Sequence, residues 1–190
     1  MKWILASASP RRKELLAEIL PEFEIIPSCA DESVTEPLPP KALVELLATR
    51  KALEVANRPE NEGKYVLGSD TVVAYGNEIL GKPKDEADAF RMLEMLSGKK
   101  HQVYTGVCVC LCKDGKVECM TEADKTDVYF NELSADWIWT YIRGGSPMDK
   151  AGAYGIQDGG LVAKIEGSYS NVVGLPVELC QRMIEKIKQQ

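Results

Sequence analysis

Asp70 is the first residue whose setting demands a chemical reason. It stands in Gly68-Ser69-Asp70-Thr71, between the apolar runs Tyr65-Val66-Leu67 and Val72-Val73-Ala74. Both flanks read as one core strand from Tyr65 to Ala74. Burying a carboxylate in such a strand costs on the order of several kcal/mol unless it is paired or metal-bound. The group is then either a structural Asp bonded to a nearby backbone N–H or an acid kept for chemistry. The apolar flanks favour chemistry.

Cations are the second signal. In Ser7-Ala8-Ser9-Pro10-Arg11-Arg12, Ser9 suits a helix N-cap and Pro10 the first helical position. Arg11 and Arg12 then fall in the first turn, where the helix dipole disfavours positive charge by roughly 0.3–1 kcal/mol each. An anion bound at this end removes the conflict. Free N–H groups, the hydroxyls of Ser7 and Ser9 and two guanidiniums would form a phosphate cradle. The alternative is a solvated pair of surface arginines. Lys51 lies one turn from both Leu47 and Val55, on an apolar helix face. It either snorkels to solvent or lines a phosphate pocket. Lys82, between Gly81 and Pro83, sits on a stiff loop able to reach an anion, although such turns are common. Gln157 closes a glycine-bearing segment from Asp149 and is able to read a base edge with its amide; a tight turn explains the same segment. Asp31, Glu32 and Glu36 are further carboxylates, either solvated or sharing a divalent cation with Asp70. His101 has no Asp or Ser partner in the pattern and reads as structural.

These residues need elements to hold them. Short strands are expected at Trp3 to Ala6, Phe23 to Ile26, Glu78 to Leu80 and Leu161 to Ile165. Long ones are expected at Tyr65 to Ala74, Val103 to Cys112 and Val117 to Phe130. Helices are expected over Arg11–Leu20, Lys41–Asn57, Asp85–Leu96 and Ser134–Ile142, with a last one opening at Pro176. Gly76-Asn77 and Lys113-Asp114-Gly115-Lys116 mark hairpin turns. Hairpins mixed with helices predict an α/β domain with a mixed rather than purely parallel sheet.

Composition narrows the class. The chain has 190 residues, 23 Lys plus Arg against 29 Asp plus Glu, and a net charge of −6. Such an acidic chain is a poor non-specific nucleic-acid binder. No apolar run is long enough for a membrane helix, and the apolar start is too short for a signal peptide, so a cytoplasmic address is expected. The six cysteines are accordingly expected as reduced thiols. Cys108, Cys110 and Cys112 alternate on one strand face, and C-x-C-x-C is not a standard zinc spacing. No Walker P-loop is present.

In order along the chain, these segments resemble the Maf family, the septum-formation-inhibitor-like nucleotide pyrophosphatases. The motifs are Ser7-x-Ser9-Pro10-Arg11-Arg12, Lys51-Ala52, Gly68-x-Asp70-Thr71-Val72-Val73, Gly81-Lys82-Pro83 and Leu96-Ser97-Gly98 before His101. They continue with Thr105-Gly106, Asp149-Lys150-Ala151-Gly152 through Ile156-Gln157, and Val172-Val173-Gly174-Leu175-Pro176. Ser69 stands where many members carry Ala.

The resemblance implies conversion of a nucleoside triphosphate and water to the monophosphate and pyrophosphate, and its D-K-A-G-x-Y-x-I-Q branch implies dTTP and UTP. It implies one elongated α/β domain over residues 1–190, with a strongly twisted mixed sheet flanked by helices, a deep cleft like that of inosine triphosphatases, and a homodimer. By position it makes Asp70 the proton acceptor. Arg11, Thr71 and Gln157 become substrate-choice residues, and Ser7, Arg12, Lys51 and Lys82 phosphate contacts. Glu32 becomes a further acid that would share Mg²⁺ or Mn²⁺ with Asp70. Two other readings stay open: a purine (ITP or XTP) pyrophosphatase of the same architecture, and a non-catalytic nucleotide-binding regulator of cell division.

Overall fold

The computed structural model describes residues 1–189. Its centre is a seven-stranded mixed sheet in the order β2-β1-β3-β5-β6-β7, with β4 also paired to β3. The strands are β1 (Trp3–Leu5), β2 (Glu24–Ile25), β3 (Tyr65–Tyr75), β4 (Glu78–Leu80), β5 (Lys100–Lys113), β6 (Lys116–Phe130) and β7 (Val162–Glu166). The helices are α1 (Pro10–Ala17), α2 (Pro40–Ala56), α3 (Glu86–Leu96), α4 (Ala135–Arg143), α5 (Tyr169–Val173) and α6 (Val177–Lys188). β1 runs parallel to β2 and β3, while β3 to β7 pair antiparallel.

One consequence of the register positions the site. β5 covers one edge of β3 continuously, from Tyr65 to Ala74. The opposite edge is shared: β1 pairs Tyr65 to Leu67 at one end, and β4 pairs Val73 to Tyr75 at the other. Among the described residues no strand covers Gly68 to Val72 on that edge. Asp70 and Thr71 lie in this gap, between the chain leaving β1 and the chain leaving β4.

Three apolar clusters lock the strands. Alternation along β3 sends Val66 toward α2, where it packs with Ala48, Ala52, Val55, Cys108 and Cys110. Leu67 packs on the other face with α1, α6, Val107 and Val109. Val73, Val103, Val128 and Phe130 meet α3 and α4. Side-chain caps start three helices as their sequences predict: Ser9 accepts from Arg12 N, Asp85 from Asp88 N and Ser134 from Trp137 N.

Several expectations are corrected. Cys110 and Cys119 are joined in a disulfide rather than both being free thiols. The hairpin turn pairs Lys113 with Lys116, which makes Cys110 and Cys119 direct cross-strand partners with Cα atoms 4.2 Å apart. Cys29, Cys108, Cys112 and Cys180 are free. The first helix stops at Ala17, three residues early. Pro176 is the N-cap of α6, one position before the helix. The segment 146–158 is three single-turn helices rather than one turn, and α5 has no counterpart among the expected elements. At five residues, α5 is too short for periodicity to show.

His101 is fully buried; its Nε2 lies 2.7 Å from Tyr154 Oη and its ring meets Phe130 edge to face. Burial pushes its pKa down to about 4 from 6.5. The folded chain therefore refuses a proton that the unfolded chain takes up. Stability from the neutral ring is full above pH 6.5 and drains away as pH falls to about 4, by roughly 3 kcal/mol in all. Urea unfolding at pH 7.0 and 4.5 checks this: the stability lost between them should be smaller in His101→Gln by about 2 kcal/mol, and equal losses in the two proteins would contradict it.

Candidate functional site

The gap on β3 opens into a cleft of about 430 Å³. Its lining includes Arg11, Arg12, Glu32, Lys51, Asp70, Thr71, Lys82 and Gln157. An adjoining pocket adds Ser7 and shares Arg11, Arg12, Glu32, Lys51 and Lys82. These residues border one continuous depression although they come from six separate stretches of chain, whereas Asp31 and Glu36 do not line it.

Asp70 is the centre. It is 8% exposed, and its Oδ1 accepts from Lys51 Nζ at 2.7 Å. Burial raises its pKa above the ordinary carboxylate value, with Lys51 and Arg12 opposing that rise and Glu32 adding to it. Lys51 Nζ also lies 3.1 Å from Glu32 Oε1, which is far more exposed. One ammonium therefore joins a carboxylate of β3 and one from the loop after β2.

Lys51 reaches this point because α2 lies close on the sheet. Its buried stripe is Val44, Leu47, Ala48, Ala52 and Val55. The helix seats over Gly68, where a Cβ would stand 2.5 Å from Ala48 O and 2.7 Å from Ala52 N. Glycine in β3 is thus the condition for bringing Lys51 down to Asp70.

The arginines divide their work. Arg12 Nε donates to Gly174 O at 2.8 Å and its Nη2 to Thr71 Oγ1 at 3.1 Å. Burial lowers its pKa while Asp70 pulls it back up; a guanidinium stays charged regardless. Arg11 Nη1 reaches Asp149 Oδ2 at 3.4 Å. Burial works to raise Asp149, but Lys150 and Arg11 outweigh it and hold the carboxyl below its ordinary value. The first turn of α1 carries no acidic residue, so its free N–H groups and both cations face the depression without a helix anion.

The wall opposite α1 is the segment from Lys150 to Gln157. Gly152 takes φ +69, and a Cβ there would strike Val73 at 2.7 Å. Its N–H donates to Gly81 O at 3.1 Å, tying this wall to the Lys82 loop. Behind it Tyr141 Oη donates to Asp158 Oδ2 at 2.5 Å and accepts from Gly155 N at 3.0 Å. Ser146 Oγ donates to Asp158 Oδ2, and Lys150 Nζ donates to Ser146 O at 2.6 Å. These bonds hold Ile156 and Gln157 at the cleft.

Two polar residues escaped the sequence reading in their roles. Asn171 is fully buried, with its Nδ2 donating to Val103 O and Thr126 Oγ1, both at 3.0 Å. Thr105, also fully buried, donates to Asn171 O at 2.9 Å. Ser168 caps α5, its Oγ accepting from Asn171 N at 3.3 Å, and a serine at that spacing is the local feature by which this helix start could be found.

The chain matches the model of the family described as Maf-like protein over residues 2–187. It is 50% identical over 184 residues to a dTTP/UTP pyrophosphatase of Thermococcus kodakarensis, covering 96% of this chain and 95% of that one. It is 51% identical over 185 residues to a dTTP/UTP pyrophosphatase of Moorella thermoacetica, covering 96% and 93%. Among solved structures, a Ham1 protein of Staphylococcus aureus shares the fold with a TM-score of 0.52 at 15% identity, covering 98% of this chain and 99% of that one.

The seating of α2 gives a direct test. Gly68→Ala forces a methyl against the α2 backbone, and overpacking of this kind costs about 1–3 kcal/mol. Chemical denaturation should show that loss. Unchanged stability would mean that α2 does not rest on Gly68.

Proposed function

This chain belongs to the Maf-like protein family, and on that premise we propose that it is a nucleoside triphosphate pyrophosphatase acting on dTTP and UTP. The observation that carries the reading is the convergence of Arg11, Arg12, Lys51 and Lys82 around the buried Asp70 in one cleft. A triphosphate carries about four negative charges at neutral pH. Four cations and a helix N-terminus answer that charge, and little else of cellular size needs so many.

The chemistry follows from positions. Water attacks the α-phosphorus, the bond from that phosphorus to the bridging oxygen of the β-phosphate breaks, and pyrophosphate leaves. Asp70 takes the proton of the attacking water. Lys51 keeps the carboxylate charged and oriented at 2.7 Å. The remaining cations hold the polyphosphate and take up charge on the leaving group, the main catalytic contribution in phosphoryl-type transfer. On the family resemblance Gln157 and Thr71, which share the cleft lining with Arg11, bear on the choice of nucleoside.

A divalent cation fits the donor set. Asp70 from β3 and Glu32 from the loop after β2 approach one point, both within 3.1 Å of Lys51 Nζ, and a hard ion takes carboxylate oxygens together with substrate phosphates. Mg²⁺ or Mn²⁺ held there would neutralise phosphate charge and acidify water. We also propose, on the family resemblance, a homodimer working in the cytoplasm; no helix among the described residues is long and apolar enough to cross a membrane.

The reading is tested with dTTP, UTP and ITP, following pyrophosphate and monophosphate separately. Turnover of the pyrimidine nucleotides with both products in equal amounts supports it; preference for ITP favours the purine alternative, and binding without products favours a regulator. Asp70→Asn should stay folded and lose at least about 10²-fold in kcat. Because Asp70 acts as the anion and burial raises its pKa, kcat should fall on acidification at a pH above the ordinary carboxylate range. A folded Asp70→Asn with full turnover would remove the role.

A further inference from the structure

We infer that Thr105 sets nucleobase choice without touching the substrate, by fixing Thr71 as a hydrogen-bond acceptor toward the cleft so that a base with an imide N–H is selected. The inference rests on the pyrimidine reading above and adds the residue that enforces it.

The argument is a count of protons. Thr105 and Thr71 are direct partners in the β5–β3 register. The Thr105 hydroxyl has one proton, and it goes to Asn171 O at 2.9 Å. Asn171 O cannot turn away, because the amide of that residue donates to Val103 O and Thr126 Oγ1 and its N–H to Ser168 Oγ. Thr126 in turn donates to Ser168 O at 2.8 Å. Thr71 Oγ1 stands 2.9 Å from Thr105 Oγ1. With the Thr105 proton already committed, Thr71 must be the donor in that pair. Thr71 Oγ1 also accepts from Arg12 Nη2 at 3.1 Å. Its proton is spent, and what it can offer a ligand is a lone pair.

Thr71 shares the cleft lining with Val73, Val103, Ile156, Val172 and Gln157, and Arg12, bonded to it, marks the start of the cationic part of the cleft. Apolar walls with one amide suit a flat base better than phosphates, whose oxygens would meet the lone pair with repulsion. Uracil and thymine carry a donor at N3. Cytosine carries a lone pair at the same atom, and two facing acceptors leave both unpaired. A site built to bond an N–H rejects an analogue without it far more strongly than an apolar pocket rejects a change of size.

The experiment measures kcat/KM for UTP, CTP and N3-methyl-UTP on the wild type, Thr105→Val and Thr105→Ser. Wild type should prefer UTP to both others by at least about 10²-fold. Thr105→Val frees the Thr71 proton to face the cleft, and the UTP-to-CTP ratio should fall about 10-fold, mainly through KM. Thr105→Ser keeps the hydroxyl and should restore the ratio, which a packing role for the threonine methyl would not. A folded Thr105→Val with the wild-type ratio overturns the inference and leaves the pyrimidine reading standing. Wild type that turns over N3-methyl-UTP or CTP as readily as UTP also overturns it, without need of any variant. Failure to hydrolyse UTP and dTTP at all removes both.

Discussion

The structure turns on a buried carboxylate that must be balanced. Asp70 is nearly enclosed, yet its environment keeps it beside one ammonium at 2.7 Å with a guanidinium close by. Burying such a group is unfavourable in isolation, and its partner does not come from the neighbouring strand but from a helix that lies across the sheet. Everything about α2 serves that contact. Two prolines start it, small residues line its seat, and Gly68 and Gly106 clear the sheet beneath it. Removing the lysine would leave the charge uncompensated, so fold and chemistry make the same demand on Lys51.

The second demand is access. A strand in the middle of a sheet has both edges covered and offers its side chains only to the layers above and below. β3 escapes this because two short strands, β1 and β4, share one of its edges and neither reaches the centre. Chain leaving β1 runs directly into Ser7, Ser9 and the first turn of α1, and chain leaving β4 runs into Gly81 and Lys82. The cations therefore arrive at the gap as a result of topology. This is the crevice beyond the carboxyl end of parallel strands where α/β proteins take ligands, here made by an interrupted edge.

Local signals explain why so much was legible. Asp70 between two apolar runs, arginines in a helix's first turn, and serine and aspartate caps are short-range features, and each kept its place in three dimensions: the acid is buried, the arginines border the cleft and the caps accept their helix N–H. The hairpin turn at Asp114-Gly115 also contained the Cys110–Cys119 pairing, since its register alone makes them neighbours; the expectation of reduced thiols came from compartment rather than geometry. What stayed hidden depends on contacts across long separations. Asn171 belongs to a five-residue helix, and its partners Val103 and Thr126 lie 68 and 45 residues away. The three single-turn helices from Ser146 to Asp158 are set by Tyr141 and Ser146 both donating to Asp158 while Lys150 donates to Ser146, which no period reveals.

A net charge of −6 over the whole chain runs against the binding of an anion. Distance decides otherwise. Exposed charges more than about 8 Å away are largely screened at physiological salt, whereas partly buried groups inside a cleft are not. Several acids near the site are already engaged by cations: Asp149 by Arg11 and Lys150, and Glu32 and Asp70 by Lys51. An anion entering the cleft would meet Arg11, Lys51 and Lys150 each already paired with a carboxylate. The potential an anion feels there is set within the cleft rather than by the acidic exterior. Charge sign on the whole chain and charge sign in the site are separate quantities, and here they are opposite because the fold gathers its cations at one interrupted strand edge.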